Sequence, residues 1–277
     1  MKKILVPVDF SKTSEYALKT AALLAKKNNS ELYVLHVVEL AESLFGTDQF
    51  NVNDDQVMFF MKLAKKRFAK FLEKDYLKDV NVIDTVDVGP TAHVIQETTK
   101  KLSIDLVIMG SVGASGLKEV LIGSNTEKVV RYSEVPILVV KKDDTNFDIK
   151  KVVFASNFDL ENIHAYKKAV DFAKSFNAKM KLLYINLPGN QFYSTEEIRE
   201  QMRKFLNKVE VPYDKENILI YNDYTIQLGI INGAKEVKAD LIAMPTHGRK
   251  GLSHFFNGSI GEDVVNHSTL PVITFKI

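Results

Sequence analysis

The sequence predicts an α/β fold built twice: two tandem doubly wound domains, each a parallel sheet with helices on both faces. Three observations predict it. Residues 105–141 (DLVIMGSVGASGLKEVLIGSNTEKVVRYSEVPILVVK) are rewritten at 240–276 (DLIAMPTHGRKGLSHFFNGSIGEDVVNHSTLPVITFK), and Ile4–Phe10 is rewritten at Val152–Phe158. Short apolar runs alternate with segments of helical period. The runs lack polar alternation, as strands buried on both faces do. In the longer match Asp105 and Asp240, Gly113 and Gly248, Gly123 and Gly258, and Pro136 and Pro271 all keep one spacing of 135 residues. A chain of 277 residues divides into two units of common domain size, about 140 residues each.

Each element has a local reason. Lys3–Val8 is an apolar run with a polar stop, a buried strand. Ser11 or Thr13 can cap a helix to Asn28 that carries Ala17, Leu18, Ala21, Leu24 and Ala25 on one stripe. Glu31–Val38 is the next strand, followed by a polar loop from Ala41 to Asp55. Gln56–Lys74 places Phe59, Phe60, Leu63, Phe68, Phe71 and Leu72 at helical spacing. Asn81–Val88 is a weaker strand, broken by Gly89-Pro90, with Pro90 as the first residue of a helix to Leu102. A strand at Asp105–Met109, a helix at Ser124–Tyr132 and a strand at Val135–Val140 complete the first unit. The second repeats the order: strands at 151–156, 179–186, 217–222, 240–244 and 270–276, helices at 161–176, 195–209, 224–237 and 259–267. The polar stretch Lys141–Asp148 is the linker, so the expected domains are 1–142 and 150–277.

Composition narrows the function. The net charge is +2, which argues for no nucleic-acid partner and no anionic membrane; the cluster Lys62–Arg67 is read as a solvated helix face. The chain has no cysteine, hence no disulfide and no thiolate metal site. No apolar run approaches the roughly 18 residues of a membrane span. Met1-Lys-Lys leads at once to Pro7 and Asp9, unlike a signal peptide, so a cytoplasmic protein is expected.

The chemistry concentrates in the first unit. Its fourth strand ends in Gly110-Ser111-Val112-Gly113-Ala114-Ser115-Gly116, and Gly123-Ser124-Asn125 then opens a helix. Glycines let backbone N–H groups face an anion, and a helix start supplies unpaired N–H groups and a positive dipole end. The place is the carboxyl end of a parallel strand, where open α/β sheets bind ligands. The spacing is not that of a P-loop. Asp9 ends the first strand across the crevice. It either accepts from a ribose hydroxyl or adenine amino group or caps the following helix, and one residue can serve both uses. In the second unit Pro245 replaces Gly110, removing a donor. Asn157 replaces Asp9, and Asp159 stands where Ser11 does. Arg249 and Lys250 still offer charge, but the second site is expected to be degenerate.

Together VPVDFS (6–11), LHVV (35–38), MGSVG (109–113) and the glycine spacing Gly110, Gly113, Gly123-Ser124 resemble the universal stress protein family, as a tandem of two such domains covering nearly the whole chain. The resemblance implies an ATP-binding domain of the adenine nucleotide alpha hydrolase-like kind, a five-stranded parallel sheet of order 3-2-1-4-5 paired through its last strand. Carried onto the first unit, it implies that Asp9 and the Val37 backbone face adenine and ribose. Gly110, Gly113, Gly123, Ser124 and Asn125 would surround the phosphates, with Pro7, Val8, Met109 and Ser111 in the same set. ATP, with Mg²⁺, is the implied cofactor. Because ILVV (137–140) and VITF (272–275) would be exposed apolar edges in isolated domains, they are expected to meet within the chain. A further homodimer and unknown protein partners stay open.

Other residues have plainer readings. His36 is expected to be a satisfied strand histidine. His247 and His254 could share a metal but lack a third ligand at a suitable spacing, Phe255-Phe256 are core anchors or a contact with the other copy, and Tyr184, Phe192 and Tyr193 near the second mouth could shape an apolar pocket but are expected to be core packing. No nucleophile elbow or carboxylate pair is evident, so no catalytic residue is assigned. Three functions follow: a nucleotide-dependent sensor or interaction module in stress response; a slow ATPase, for which Lys118 and Glu119 are the nearest charged groups; or a nucleotide-free structural pseudo-dimer.

Overall fold

The computed structural model describes residues 1–39, 54–111, 122–144, 147–212, 214–246 and 259–277. The first half contains β1 (Lys3–Pro7), α1 (Lys12–Asn28), β2 (Glu31–Val38), α2 (Asp54–Leu72), β3 (Val82–Val88), α3 (Thr91–Leu102), β4 (Leu106–Gly110), α4 (Ser124–Tyr132) and β5 (Ile137–Val140). The second contains β6 (Lys151–Ala155), α5 (Ile163–Ser175), β7 (Lys179–Asn186), α6 (Thr195–Lys208), β8 (Ile218–Asn222), α7 (Ile226–Glu236), β9 (Leu241–Thr246), α8 (Ser259–His267) and β10 (Val272–Lys276). Among the described residues no helix is long and apolar enough to cross a membrane.

All the strands form one ten-stranded sheet of order β3-β2-β1-β4-β5-β10-β9-β6-β7-β8. Each half is parallel in the order 3-2-1-4-5. The halves join where β5 and β10 run antiparallel, with Val139 opposite Val272, Leu138 opposite Ile273 and Ile137 opposite Thr274. Strand residues point alternately to the two faces. Leu138, Val140, Ile273 and Phe275 therefore enter one core with α1 and α5, while Ile137, Val139 and Val272 enter another with α3, α4, α7 and α8. Both cores run across the seam without a break.

Several repeated residues serve as scaffold. Asp105 accepts the N–H groups of Lys2 (2.5 Å) and Lys3 (3.0 Å), locking the start of β1 to β4. Asp240 does the same for Lys150 (2.9 Å) and Lys151 (2.8 Å) at β6 and β9. Ser133 and Ser268 each tie the turn into their last strand, through Val135 and Leu270. Phe10 (φ 65°) and Phe158 (φ 58°) both adopt the left-handed backbone just after their strands, an uncommon state for a bulky residue that turns the chain sharply into the next helix.

Several sequence expectations shift. Pro90 sits extended as the cap of α3, with helix beginning at Thr91, because its ψ of 117° is outside the helical well. Strand β9 continues through Pro245, which pairs in register with Phe275. Phe68 is buried, but Met58, Phe59 and Leu63 on the early turns of α2 are more than half exposed, since only the later turns pack on the sheet. Phe192 and Tyr193 are exposed, whereas Tyr184 is buried and its hydroxyl is pushed up to about 12 by that burial. Ala41–Asn53, Gly113, Lys118, Glu119, His247, Arg249, Lys250, His254 and Phe255-Phe256 lie outside the described residues.

Because each core spans the seam, a cavity at Leu138 is felt by both halves. Leu138→Ala is expected to cost about 2–5 kcal/mol. Amide exchange should speed up in β6 as well as in β1. Acceleration confined to the N-terminal half would show that the halves fold independently.

Candidate functional site

The carboxyl ends of β1, β2 and β4 open a crevice between the starts of α1, α3 and α4. Pro7, Val8, Asp9, Leu35, Val37, Met109 and Gly110 line it on the strand side. Ser11, Thr13, Ser14, Thr91, Gly123, Ser124, Asn125 and Thr126 line it on the helix side. Its cavity of about 190 Å³ exceeds the roughly 150 Å³ that holds a benzene-sized ring, so a planar base can enter. Of the candidates named from sequence, Ser111 is buried behind the lining, where its carbonyl accepts the Gly123 N–H at 2.8 Å. Gly113 is not among the described residues. The remaining candidates, Pro7, Val8, Asp9, Val37, Met109, Gly110, Gly123, Ser124 and Asn125, come together here.

Of the candidates for the cap, the structure uses Ser11. The Ser11 hydroxyl caps α1 by accepting the Ser14 N–H at 3.1 Å. Asp9 Oδ1 accepts the Ser11 hydroxyl at 2.6 Å and its N–H at 3.0 Å, which fixes the carboxylate in the crevice mouth. Behind it, Phe10 packs against His36 with ring centroids 4.2 Å apart, and the Arg67 guanidinium lies 4.6 Å over the Phe10 ring. The carbonyl of Val8 can only accept, so His36 Nδ1, 2.8 Å away, carries its proton. Burial lowers the His36 pKa, partly opposed by that hydrogen bond, and keeps the ring neutral.

The helix side carries backbone donors. The N-cap of α4, Gly123, has no side chain to cap with, and α3 and α5 likewise lack an N-cap side-chain hydrogen bond, whereas α1, α6 and α7 are capped by Ser11, Ser194 and Thr225. The first-turn N–H groups of an α-helix have no partner within the helix, and its N-terminal end is the positive end of the dipole. Thr126 Oγ1 donates to the Gly110 carbonyl at 3.0 Å and holds α4 against β4. Gly110 itself answers a packing constraint: a Cβ there would lie 2.6 Å from the Thr13 carbonyl carbon and 2.7 Å from its oxygen.

Glu39 was not singled out from the sequence. At the crevice rim its carboxylate accepts the Thr91 N–H at 3.0 Å. The Thr91 hydroxyl and N–H hold its carboxyl below the usual range, with the Asn125 side chain and the Lys128 charge adding to them. The same donors would favour any anion at this rim. Thr13, Ser14, Leu35 and Thr126 were also missed as lining residues. Only their positions beside known motifs could have signalled them.

At the corresponding strand end of the second half, the described polar groups hydrogen-bond one another. The Asn157 amide donates to the Asp159 carboxylate and accepts from Asn162 Nδ2 at 2.6 Å. Gln201 from α6 donates to the Asn157 carbonyl (2.8 Å) and to Asp159 (3.0 Å). Asn157 is thereby buried and satisfied. Ile185, at the position matching Val37, is buried so closely under α7 that a Cβ on Gly229 would lie 2.6 Å from it. Ile260 and Gly261 stand where the first half has Asn125 and Thr126.

A model described as the universal stress protein family matches residues 1–141 and, a second time, 148–276. Universal stress protein MJ0577 of Methanocaldococcus jannaschii is 35% identical over 157 residues, 52% of this chain and 97% of that protein. Universal stress protein YxiE of Bacillus subtilis is 35% identical over 147 residues, 50% of this chain and 98% of that one. The crystal structure of a universal stress protein from Archaeoglobus fulgidus shares the fold along 99% of this chain and 98% of its own, with a TM-score of 0.74 at 23% identity. With the family pattern met twice along one sheet of this strand order, the chain belongs to the universal stress protein family, carrying two of its units in tandem.

Proposed function

We propose that the N-terminal unit, residues 1–142, binds ATP and acts as a nucleotide-dependent sensor or interaction module, while the C-terminal unit, residues 150–277, holds no nucleotide. The observation that carries this reading is the uncapped start of α4 facing a crevice whose opposite wall is Pro7, Val8, Asp9 and Val37. The apolar part accepts a base, the Asp9 carboxylate suits ribose hydroxyls, and the helix start suits phosphates. The hydrogen-bonded groups around Asn157 support the asymmetry between the halves. Among the described residues no cluster of three or more His, Asp or Glu could hold a metal, so Mg²⁺ would arrive with the phosphates, held by their oxygens and water.

A ligand that binds one conformation more tightly than another shifts the population toward it, and this is how an ATP site without an assigned catalytic base would signal. The direct test is to denature purified protein, identify the nucleotide released, and titrate ATP by calorimetry and thermal shift. Binding to the wild type is expected, with a rise in Tm that grows with ATP concentration. A wild-type protein that releases no nucleotide and shows no heat with ATP would refute the reading.

Two substitutions sharpen it. Ser124 is exposed at the first position of α4, so Ser124→Glu puts a negative charge where the helix dipole favours one. Stability should hold or rise by about 0.3–1 kcal/mol. ATP affinity should fall at least about tenfold, or about 1.4 kcal/mol. Equal ATP affinity would mean that phosphates do not sit at α4. Glu39→Gln keeps an acceptor for the Thr91 N–H but removes a charge near the rim. ATP should bind about fivefold more tightly at low salt, with the gain shrinking as salt screens it. Weaker binding on this change would place the phosphates elsewhere.

A further inference from the structure

The anion-receptive turn of the first half is held by a residue of the second. Ile122, directly before Gly123, donates its N–H to Asn266 Oδ1 at 2.5 Å, across 144 positions of sequence. Asn266 lies on the last turn of α8. The next N–H, that of Gly123, goes to the Ser111 carbonyl at 2.8 Å. Two successive backbone groups are thus anchored at the entry to α4, one to its own half and one to the other. This sets the direction in which the following N–H groups, those of Ser124 and Asn125, leave the turn.

Asn266 is itself well placed for such a role. Its carbonyl accepts Lys141 Nζ at 2.5 Å, from the end of β5, so a cation of the first half sits at the C-terminal end of α8. Arg131 of α4 pairs with Glu262 of α8 at 3.0 Å and keeps the two helices in register. The residue that matches Asn266 cannot make the same contact in return. At the offset of the repeat, the position matching Asn266 in the first half is Arg131, a side chain with donors and no acceptor. It cannot take an N–H as Asn266 does. The second half supplies the support, and the first half, with the open crevice, receives it.

We infer that Asn266 is a positioning residue for the phosphate-binding turn of the N-terminal unit, so that the C-terminal unit, without a nucleotide of its own, sets the affinity of the nucleotide site. This rests on the ATP reading above. It also gives the second unit a task that its own crevice does not perform: keeping the Ile122–Ser124 turn in a shape that faces phosphate.

The test uses the full chain with Asn266→Leu, close in size but without an acceptor, and Asn266→Ala as a second variant should the leucine misfold. Affinities for ATP and for adenosine are measured by calorimetry, and exchange of the Ile122 amide is followed by NMR in the ligand-free protein. Loss of one neutral hydrogen bond should weaken ATP about three- to tenfold. Adenosine, which has no phosphates, should keep its affinity, and the Ile122 amide should exchange faster. Equal weakening of ATP and adenosine would make Asn266 merely structural and overturn the inference. So would unchanged ATP affinity alongside a freed Ile122 amide. A wild type that fails to bind ATP is seen before any variant is made and removes the parent reading, whereas a wild type that binds and a variant that binds equally removes this one alone.

Discussion

The antiparallel pairing of β5 with β10 is the constraint on which the rest of the molecule depends. In strand order 3-2-1-4-5 the last strand is an edge, and here β5 is apolar on both faces while β10 is apolar at Val272, Ile273 and Phe275. Left open, Ile137–Val140 and Val272–Lys276 would each present unpaired backbone beside greasy side chains, a template for aggregation. Pairing them satisfies both edges at once and fuses the cores on the two sides of the sheet. Of the outer edges that remain, β3 carries Asp84 and Asp87 on exposed positions, which discourages further strand addition, while β8 is apolar from Ile218 to Tyr221. The same seam brings α4 beside α8, and with it the entry to the crevice beside the other half.

A tandem repeat also separates scaffold from site within a single chain. Where the two copies agree, the residues do the same mechanical work twice: Asp105 and Asp240 clamp strand starts, Ser133 and Ser268 tie turns, and Phe10 and Phe158 take the same strained backbone. Several of the differences fall at one place. Asp9 against Asn157, Gly110 against Pro245, Asn125 against Ile260 and Thr126 against Gly261 all sit at the crevice or its counterpart. On the described side of the second mouth, polar groups hold one another in place. Asn157, Asn162, Asp159 and Gln201 hydrogen-bond one another, so opening it for a ligand would mean breaking bonds already made.

Glycine shows how a correct residue can be noticed for an incomplete reason. Gly110 reads from sequence as part of an anion cradle, and it does line the crevice. Its missing Cβ is also demanded by the first turn of α1, which presses Thr13 against the end of β4. In the second half Pro245 occupies that position, and the helix there opens with a 3-10 turn, Leu160–Asn162, ahead of α5. The polar groups at the mouth, the entry of the helix and the residue at the strand end change together between the two halves.

Local patterns along the chain encode the twofold repeat, the alternation of strands and helices, and a crevice marked by Asp9 and by the Gly123-Ser124 helix start. Periodicity, turn chemistry and capping act over a few residues, so they can be read along the chain. The strand order and the pairing of the last strands came through the family resemblance, and the sheet bears them out. Tertiary structure alone decided the exposure of Met58, Phe59 and Leu63, the placing of Thr13, Leu35, Thr91 and Thr126 around the crevice, the Glu39 carboxylate at its rim, and the reach of Asn266 to Ile122. These depend on which surfaces meet when segments up to a hundred or more residues apart pack together, and no local pattern records that.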